Sequence, residues 1–471
     1  MIALTLGDIA AAVSGRLLLP AGAGGLSATT VVDGSVETDS RLVSAGSIFF
    51  ALPGKETDGH VFAPAAVESG AALVVAERPL DLSVPQIVVD DGVAALAALA
   101  RDVVARVRAL GSLSVVAITG SNGKTTTKNM LRAILEADGP TVAPSGSFNN
   151  HVGAPISMLR IANDSRYLIV EMGASNVGQI AHLVSIVTPD VGVVLKVGLA
   201  HVGGFGSVEA VQREKSELVR ALPNTAIAVL NADDGRVAEM AAQTSATVLR
   251  FGLTAAADVR AEDVAATAEG TSFTLLHDGN AHPVRLRILG EHHVSNALAA
   301  IAAASALGIP PERSIPAIES LDRAERWRME VLRRDDGVVV INDAYNASPD
   351  STAAALKTLA QVTGGSRRSV AVLGHMAELG EQTDEEHDRI GRLAVRLDVK
   401  KLVVVGHLAR HIHNAAGLEG SWDGESVLVA TADEAYDLLR DELREGDVVL
   451  VKSSNSAGLR FLGDRLAGLT S

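Results

Sequence analysis

The run Val115-Val116-Ala117-Ile118-Thr119-Gly120-Ser121-Asn122-Gly123-Lys124-Thr125-Thr126 carries the sharpest chemistry in the chain. An apolar strand enters a glycine-containing turn and a helix follows. Backbone N–H groups and the positive end of that helix can then face phosphate oxygens. Gly120, Ser121, Asn122, Gly123, Lys124, Thr125 and Thr126 would form the cradle for the phosphates. Lys124 would pair with the β- and γ-phosphates, and the Thr125 hydroxyl would ligate Mg²⁺. The commoner phosphate loop has a Gly five residues before its last Gly, where Ile118 stands here, so this is a shorter variant. An ordinary strand-to-helix turn is the alternative, but strand, glycines, Lys and paired Thr agree on one mechanism.

Other residues admit two readings each. Glu171 closes the strand Leu168-Ile169-Val170, at the carboxyl edge where open α/β sheets bind ligands. With Thr125 and phosphate oxygens it could complete a hard-cation shell; alone, it reads as a solvated charge. His201, in Gly198-Leu199-Ala200-His201-Val202-Gly203-Gly204, lies in a glycine-rich loop and could ligate a metal, position an oxyanion or serve structure. Lys215, between Glu214 and Glu217, reads by itself as a solvated helix lysine. Arg323, Arg326 and Arg328 cluster closely enough to be interchangeable, with surface charge as the competing reading.

The elements that must position these groups follow from periodicity. Residues 1–111 show helical patterns at 6–13, 61–69 and 93–110 and strand-like runs at 47–51, 72–75 and 86–89, which read as a small α/β domain. Residues 112–320 begin with the strand 113–119 and the helix 124–137. Strands at 167–171, 191–197 and 226–231 follow, then short alternating strands over 247–289 and an Ala-rich helix at 295–307. This alternation predicts a doubly wound parallel sheet. Residues 321–471 repeat a βαβ rhythm with strands at 338–341, 369–373, 402–405 and 447–451, a Rossmann-like domain without a dinucleotide glycine fingerprint. The fold class is therefore α/β in three domains, which the 471 residues and 47% hydrophobic content can furnish with separate cores.

Composition excludes several functions. A net charge of −15 opposes broad attraction to nucleic acid or anionic membrane. Without Cys there is neither a disulfide framework nor a thiol nucleophile, which fits a reducing cytoplasm. The N-terminal residues lack the basic and apolar regions of an export signal. The longest nearly apolar stretch, 297–309, is about 13 residues where a membrane helix needs about 20. A cytoplasmic monomer without membrane insertion or nucleic-acid partner is expected.

Taken together these residues resemble the Mur ligases, whose phosphate loop typically reads Thr-Gly-(Thr/Ser)-Asn-Gly-Lys-Thr, as at 119–125. The resemblance runs along essentially the whole chain, through Glu171, His201, Lys215, Asn296, Arg328 and Asp343 in order. It implies that the first domain holds a UDP-sugar-peptide, the central one binds ATP, and the third brings the incoming amine. Catalysis would then fall to Lys124, Glu171, His201, Lys215 and Arg328. Mg²⁺ would sit among Thr125, Glu171, His201 and Lys215, the last as a carbamate; Asn296, Arg328 and Asp343 would complete the nucleotide site. Ser40, Arg41, Asp58, Gly59 and His60, with Asn149 and Asn150, would meet the UDP-N-acetylmuramoyl-tripeptide.

The family chemistry is attack of a carboxylate on the γ-phosphate, giving an acyl phosphate and ADP, then displacement of phosphate by an amine. The segments Asp58-Gly59-His60-Val61-Phe62 and Asp343-Ala344-Tyr345-Asn346-Ala347-Ser348-Pro349 resemble the D-alanyl-D-alanine-adding member. The preceding member, which adds a single diamino acid, carries an Asp-Asn-Pro-Arg tetrad that this chain lacks. That member, a folylpolyglutamate synthase and an ATP-dependent switch or binding protein are the alternatives. The chain departs from the family pattern at His293, an Asn position, at His375, commonly Asp, and at Ser453, where Lys-Gly-Ser is usual.

Overall fold

Parallel strands covered on both faces account for most of the core, and the apolar runs of the sequence become those strands. A computed structural model describes residues 1–20, 24–54, 57–267, 269–323, 325–420 and 422–469. It divides into two compact units, Met1–Ile118 with Asp138–Ala174 and Gly178–Gly192, and Thr119–Ala137 with Ser175–Val177 and Val193–Ser471. The architecture is mixed α/β throughout.

In the first unit a five-stranded sheet runs in the order Arg16–Leu18, Gln86–Val88, Leu73–Ala76, Ile48–Phe50, Val36–Glu37. Its first pair is antiparallel and the rest parallel. Phe49, Ala51, Ala63, Ala66 and Val74 pack one core there. Helix Gly92–Arg108 starts at Asp91, whose carboxylate accepts the N–H groups of Val93 and Ala94, and it buries Leu96, Leu99, Ala100, Val103 and Val107. The expected helix at 61–69 is instead a 3₁₀ turn, Gly59–Phe62, followed by helix Ala63–Glu68. Pro64, suited only to a first helical turn, sets that junction. In the same unit Tyr167–Glu171 pairs in parallel with Ser114–Thr119, with Glu171 opposite Ile118.

In the second unit helix Lys124–Glu136 follows the phosphate turn. Strands Ile227–Asn231, Thr247–Gly252 and Val259–Thr267 pair in parallel, and Gly270–His277 and Asn280–Leu286 extend them antiparallel. The Ala-rich helix spans His292–Ala306, three residues earlier than its periodicity suggests, with Ala297 to Ala304 fully buried. Strand Val191–Val194 is shorter than expected, because residues 195–197 leave it for the loop that supports the phosphate turn.

A six-stranded sheet follows in the order Glu330–Arg333, Val339–Asn342, Val448–Lys452, Ser369–Leu373, Lys401–Val405, Glu425–Val429, antiparallel only at its first pair. Successive residues alternate faces. Val339, Ile341, Ala371 and Leu373 join one core with Leu356, Ile390 and Ile412, while Val338, Val340, Val370 and Val372 join another with Leu439, Leu459 and Leu462. The edge strands Glu330–Arg333 and Glu425–Val429 were not expected. Among the described residues no helix is long and apolar enough to cross a membrane.

Candidate active site

The phosphate turn is shaped by what cannot be there. Gly123 has φ +87°, and a Cβ on it would lie 2.4 Å from Asn296 Oδ1. Only glycine meets both demands. The turn is held from outside, with Ser121 N donating to Lys196 O at 2.8 Å and Gly198 N donating to Ser121 Oγ at 2.9 Å. Lys124 Nζ donates to Gly120 O at 2.6 Å, and Thr125 and Thr126 are buried behind it. Asn122 Oδ1 accepts the Ser348 hydroxyl at 3.0 Å, whereas Asn122 Nδ2 is buried without a hydrogen-bond partner among the described residues. A buried donor left unmade costs about 1–3 kcal/mol. An open glycine cradle with a spare buried donor fits the phosphates of a nucleotide.

Asn296 links this turn to the Ala-rich helix. Its Oδ1 accepts from Thr127 Oγ1 at 3.3 Å and its Nδ2 donates to His293 Nδ1 at 3.2 Å. The His293 proton is therefore on Nε2, which is buried and unpartnered among the described residues. Burial holds His293 well below the usual histidine range, and pushes His292 down to about 4 against the pull of the Asp343 carboxylate.

Lys215 lies on helix Val208–Arg220, whose buried face also carries Val211, Leu218 and Val219, so the residue is only 2% exposed. Burial first, and the Lys124 charge second, lower it to about 7, with Glu214 opposing. His201 sits at φ +63° as the cap of the short helix Val202–Phe205. Burial and Lys124 lower its pKa, Glu378 opposes them, and its Nδ1 contacts the Glu378 carboxylate. A neutral imidazole and a deprotonatable amine thus share the field of Lys124. Among the described residues no three His, Asp or Glu side chains group as a ready cation cage.

The three clustered arginines separate. Arg323 pairs with Glu330 at 2.9 Å, and Arg326 with the buried Asp464 at 3.0 Å while lying over Trp327. Arg328 instead lies over the Tyr345 ring, 4.3 Å from its centroid, between Trp327 and Met329, both at positive φ. Asp343 accepts Met329 N at 3.1 Å and the Lys452 ammonium at 2.6 Å. Lys452 is thus a buried partner of Asp343, one of the residues expected at the nucleotide.

The first unit holds the remaining residues. Glu171 is fully buried and accepts Asn149 Nδ2 at 2.7 Å, while Asn150 Oδ1 takes the N–H of Gly153 at 2.8 Å, opening helix Gly153–Met158. Ser40 and Arg41 form a 3₁₀ turn capped by Asp39, with the Arg41 guanidinium on Asp39 at 2.6 Å. His60 is buried; its Nε2 accepts Glu77 N at 2.9 Å, so its Nδ1 proton goes to Asp58 at 2.5 Å. Arg78 and then His60 hold the Asp58 carboxyl far below the usual range. Gly59 lies against the Leu52 backbone, 2.3 Å from Leu52 O for an added Cβ. Asp58, Gly59 and His60 therefore shape this loop. Sequence reasoning did not single out Ser348 or Glu378, although Ser348 lies inside the quoted segment 343–349 and Glu378 three residues after His375.

These features define a nucleotide-dependent enzyme with a shortened phosphate loop and a lysine poised for deprotonation. The Mur ligase catalytic domain family matches residues 34–114, the Mur ligase middle domain 118–304, and the Mur ligase glutamate ligase domain 327–455. The UDP-N-acetylmuramoyl-tripeptide--D-alanyl-D-alanine ligase of Mycobacterium tuberculosis is 46% identical over 99% of this chain and 98% of its own. A crystal structure of MurF from Acinetobacter baumannii superposes with a TM-score of 0.87 at 30% identity, covering 99% of each chain. The Thermotoga maritima MurF ligase in complex with ADP matches with a TM-score of 0.80 at 28% identity, over 92% of this chain and 97% of that one. The chain belongs to the Mur ligase family of ATP-dependent amide ligases.

Proposed function

We propose that the chain joins D-alanyl-D-alanine to UDP-N-acetylmuramoyl-tripeptide in peptidoglycan precursor synthesis, converting ATP to ADP and phosphate. The acceptor carboxylate oxygen bonds to the γ-phosphorus as the bond to ADP breaks. The dipeptide amine then attacks the acyl carbon, phosphate leaves with the acyl–oxygen electrons, and the amine loses its proton. Lys124 and the turn's N–H groups face the charge that spreads over the transferring phosphoryl group. Mg²⁺, held by Thr125, Glu171, His201 and a Lys215 carbamate, would neutralise phosphate charge and orient the acceptor carboxylate.

The observation that carries this reading is Lys215, buried beside Lys124 with its ammonium lowered to about 7. A carbamate forms only from a neutral amine, and burial supplies one. Arg328 and Asp343 would contact the nucleotide, with Asn296 beside the cradle. Segment 40–60 and Asn149 and Asn150 would line the UDP-sugar-peptide side. Residues 1–111, 112–320 and 321–471 would serve as substrate, ATP and amine domains. We take the enzyme to work as a cytoplasmic monomer, since one chain carries every assigned residue.

The purified chain, given ATP, Mg²⁺ and UDP-N-acetylmuramoyl-tripeptide, should release phosphate when offered D-alanyl-D-alanine. Release with a free diamino acid or glutamate, and none with the dipeptide, would overturn the assignment.

A further inference from the structure

The start of helix Pro349–Thr363 is seated against the phosphate turn. The Ser348 hydroxyl donates to Asn122 Oδ1 at 3.0 Å. Two residues on, Asp350 Oδ2 lies 3.6 Å from Lys196 Nζ and would be 2.5 Å from a Cβ on Gly198. Lys196 and Gly198 are the residues that hold Ser121 from outside, through Lys196 O and Gly198 N. The helix start therefore meets both the turn and the loop behind it. Ser348 is placed relative to Asn122 by contacts other than their own hydrogen bond.

An amide oxygen carries no hydrogen, so the one between Ser348 Oγ and Asn122 Oδ1 belongs to Ser348. The Ser351 hydroxyl, 3.1 Å from Ser348 Oγ, is the other acceptor in reach. Ser351 is satisfied without that hydrogen, since its oxygen accepts Ser348 N at 2.9 Å and its own hydrogen reaches Ser348 O at 3.1 Å. Capping takes only a lone pair of Ser348, from Ser351 N at 3.4 Å, so the cap and the donor do not exclude each other. The two ends of a carboxamide are fixed relative to one another, and a hydrogen bond accepted at the oxygen directs the nitrogen and makes it a stronger donor. In Asn122 that nitrogen, Nδ2, is the buried donor without a hydrogen-bond partner among the described residues. An amide turned over would put an oxygen in its place, with nothing to give a phosphate.

We propose that Ser348 is a positioning residue for Asn122, its hydroxyl hydrogen setting the amide so that Nδ2 is presented to a phosphate oxygen of the nucleotide. The inference rests on the phosphate-cradle reading of residues 120–126. It gives the segment 343–349 a share in nucleotide affinity through a residue that need not touch the nucleotide.

The test uses the full chain and reads ADP affinity by calorimetry beside ATP turnover. Ser348→Gly removes the hydroxyl, and glycine costs a helix N-cap little. ADP affinity should fall about three- to tenfold, the effect of one hydrogen bond, and the ATP KM should rise with it while kcat changes less. Ser348→Thr, which keeps both hydroxyl and cap, should stay within about twofold of the parent. In an Asn122→Ala background there is no amide to orient, so Ser348→Gly should change ADP affinity by less than about twofold. ADP affinity within about twofold of the parent in Ser348→Gly refutes the proposal. A loss that persists at full size in the Asn122→Ala background, or is equally large in Ser348→Thr, refutes it as well. Undiminished ADP affinity in Asn122→Ala alone would remove Asn122 from the cradle, overturning the reading on which the proposal rests.

Discussion

Lys452→Met should destabilise residues 321–471 by about 3–5 kcal/mol, the usual cost of removing one partner of a buried ion pair. Lys452 is 2% exposed, and its Nζ donates to Asp343 Oδ2 at 2.6 Å, Asn346 O at 3.1 Å and Asp343 O at 3.3 Å. Its three donors therefore have three acceptors, while the Asp343 side chain, 14% exposed, spends its other oxygen on Met329 N. Methionine fills most of the volume but leaves a carboxylate and two carbonyls facing one another. Asp343→Asn leaves the ammonium its two carbonyls, so it should cost less, about 2–3 kcal/mol. The double variant removes both charges and should cost less than the two singles together by about 2 kcal/mol. Trp327 and Trp422 are the chain's two tryptophans, and Trp327 donates to Asp464 and packs edge-on against Phe461. Tryptophan fluorescence in denaturant therefore reports this region's unfolding. A Lys452→Met cost below about 1 kcal/mol, or single costs that add to within about 0.5 kcal/mol, would refute the coupled buried pair.

Two further outcomes follow from buried titratable groups. With Lys215 at about 7, roughly half the amines are neutral at pH 7, against about one in 3,000 for an ordinary lysine. Protein equilibrated with ¹³CO₂ should show a carbamate carbon resonance that Lys215→Arg lacks, with turnover of that variant down about a hundredfold or more; a resonance that survives the substitution would refute the assignment. His387 is buried, with Nε2 accepting Met376 N and Nδ1 donating to Thr383 O at 2.6 Å, and burial holds its pKa below the ordinary 6.5. The unfolded state then takes up a proton that the native state refuses, so this stability is complete above about pH 6.5 and is lost as pH falls below it toward the lowered folded value, at up to about 1.4 kcal/mol per pH unit. His387→Gln should flatten the pH dependence of tryptophan-monitored unfolding between about pH 7 and 5, and an unaltered slope would count against it.

The parallel strands of the six-stranded sheet were legible because both faces are buried, which makes runs such as 338–341 and 370–373 continuously apolar. The same reasoning hid Glu330–Arg333 and Glu425–Val429. These are edge strands, half-buried at most positions and each beginning on a glutamate, so no apolar run marks them. Pro64 moved a helix start, and residues 195–197 left their strand to support a turn, because each obeys a local demand that hydrophobic periodicity does not register. The phosphate loop was legible for the opposite reason. Its chemistry is carried by backbone geometry that neighbouring residues dictate, down to a glycine at φ +87°.

Groups that act through distant partners follow another rule. Lys215 carried a local signal, since it falls on the stripe of Val211, Leu218 and Val219, and a lysine there must be buried. Lys452 carried none, because a strand-end lysine is satisfied by water until the fold supplies Asp343. Ser348 shows why a satisfied motif can conceal a second use. Read in sequence, Ser348-Pro349 opens a helix, and Ser348 does cap helix Pro349–Thr363, its oxygen accepting Ser351 N. Capping, however, uses only a lone pair of the hydroxyl, which also owns one proton. That proton can go to Asn122 Oδ1, steadying the side chain whose Nδ2 is the spare donor of the phosphate turn. The proton of this capping serine thus has two acceptors, the Ser351 hydroxyl of its own helix at 3.1 Å and Asn122 Oδ1 at 3.0 Å, and the second is one that the helix motif by itself does not reveal.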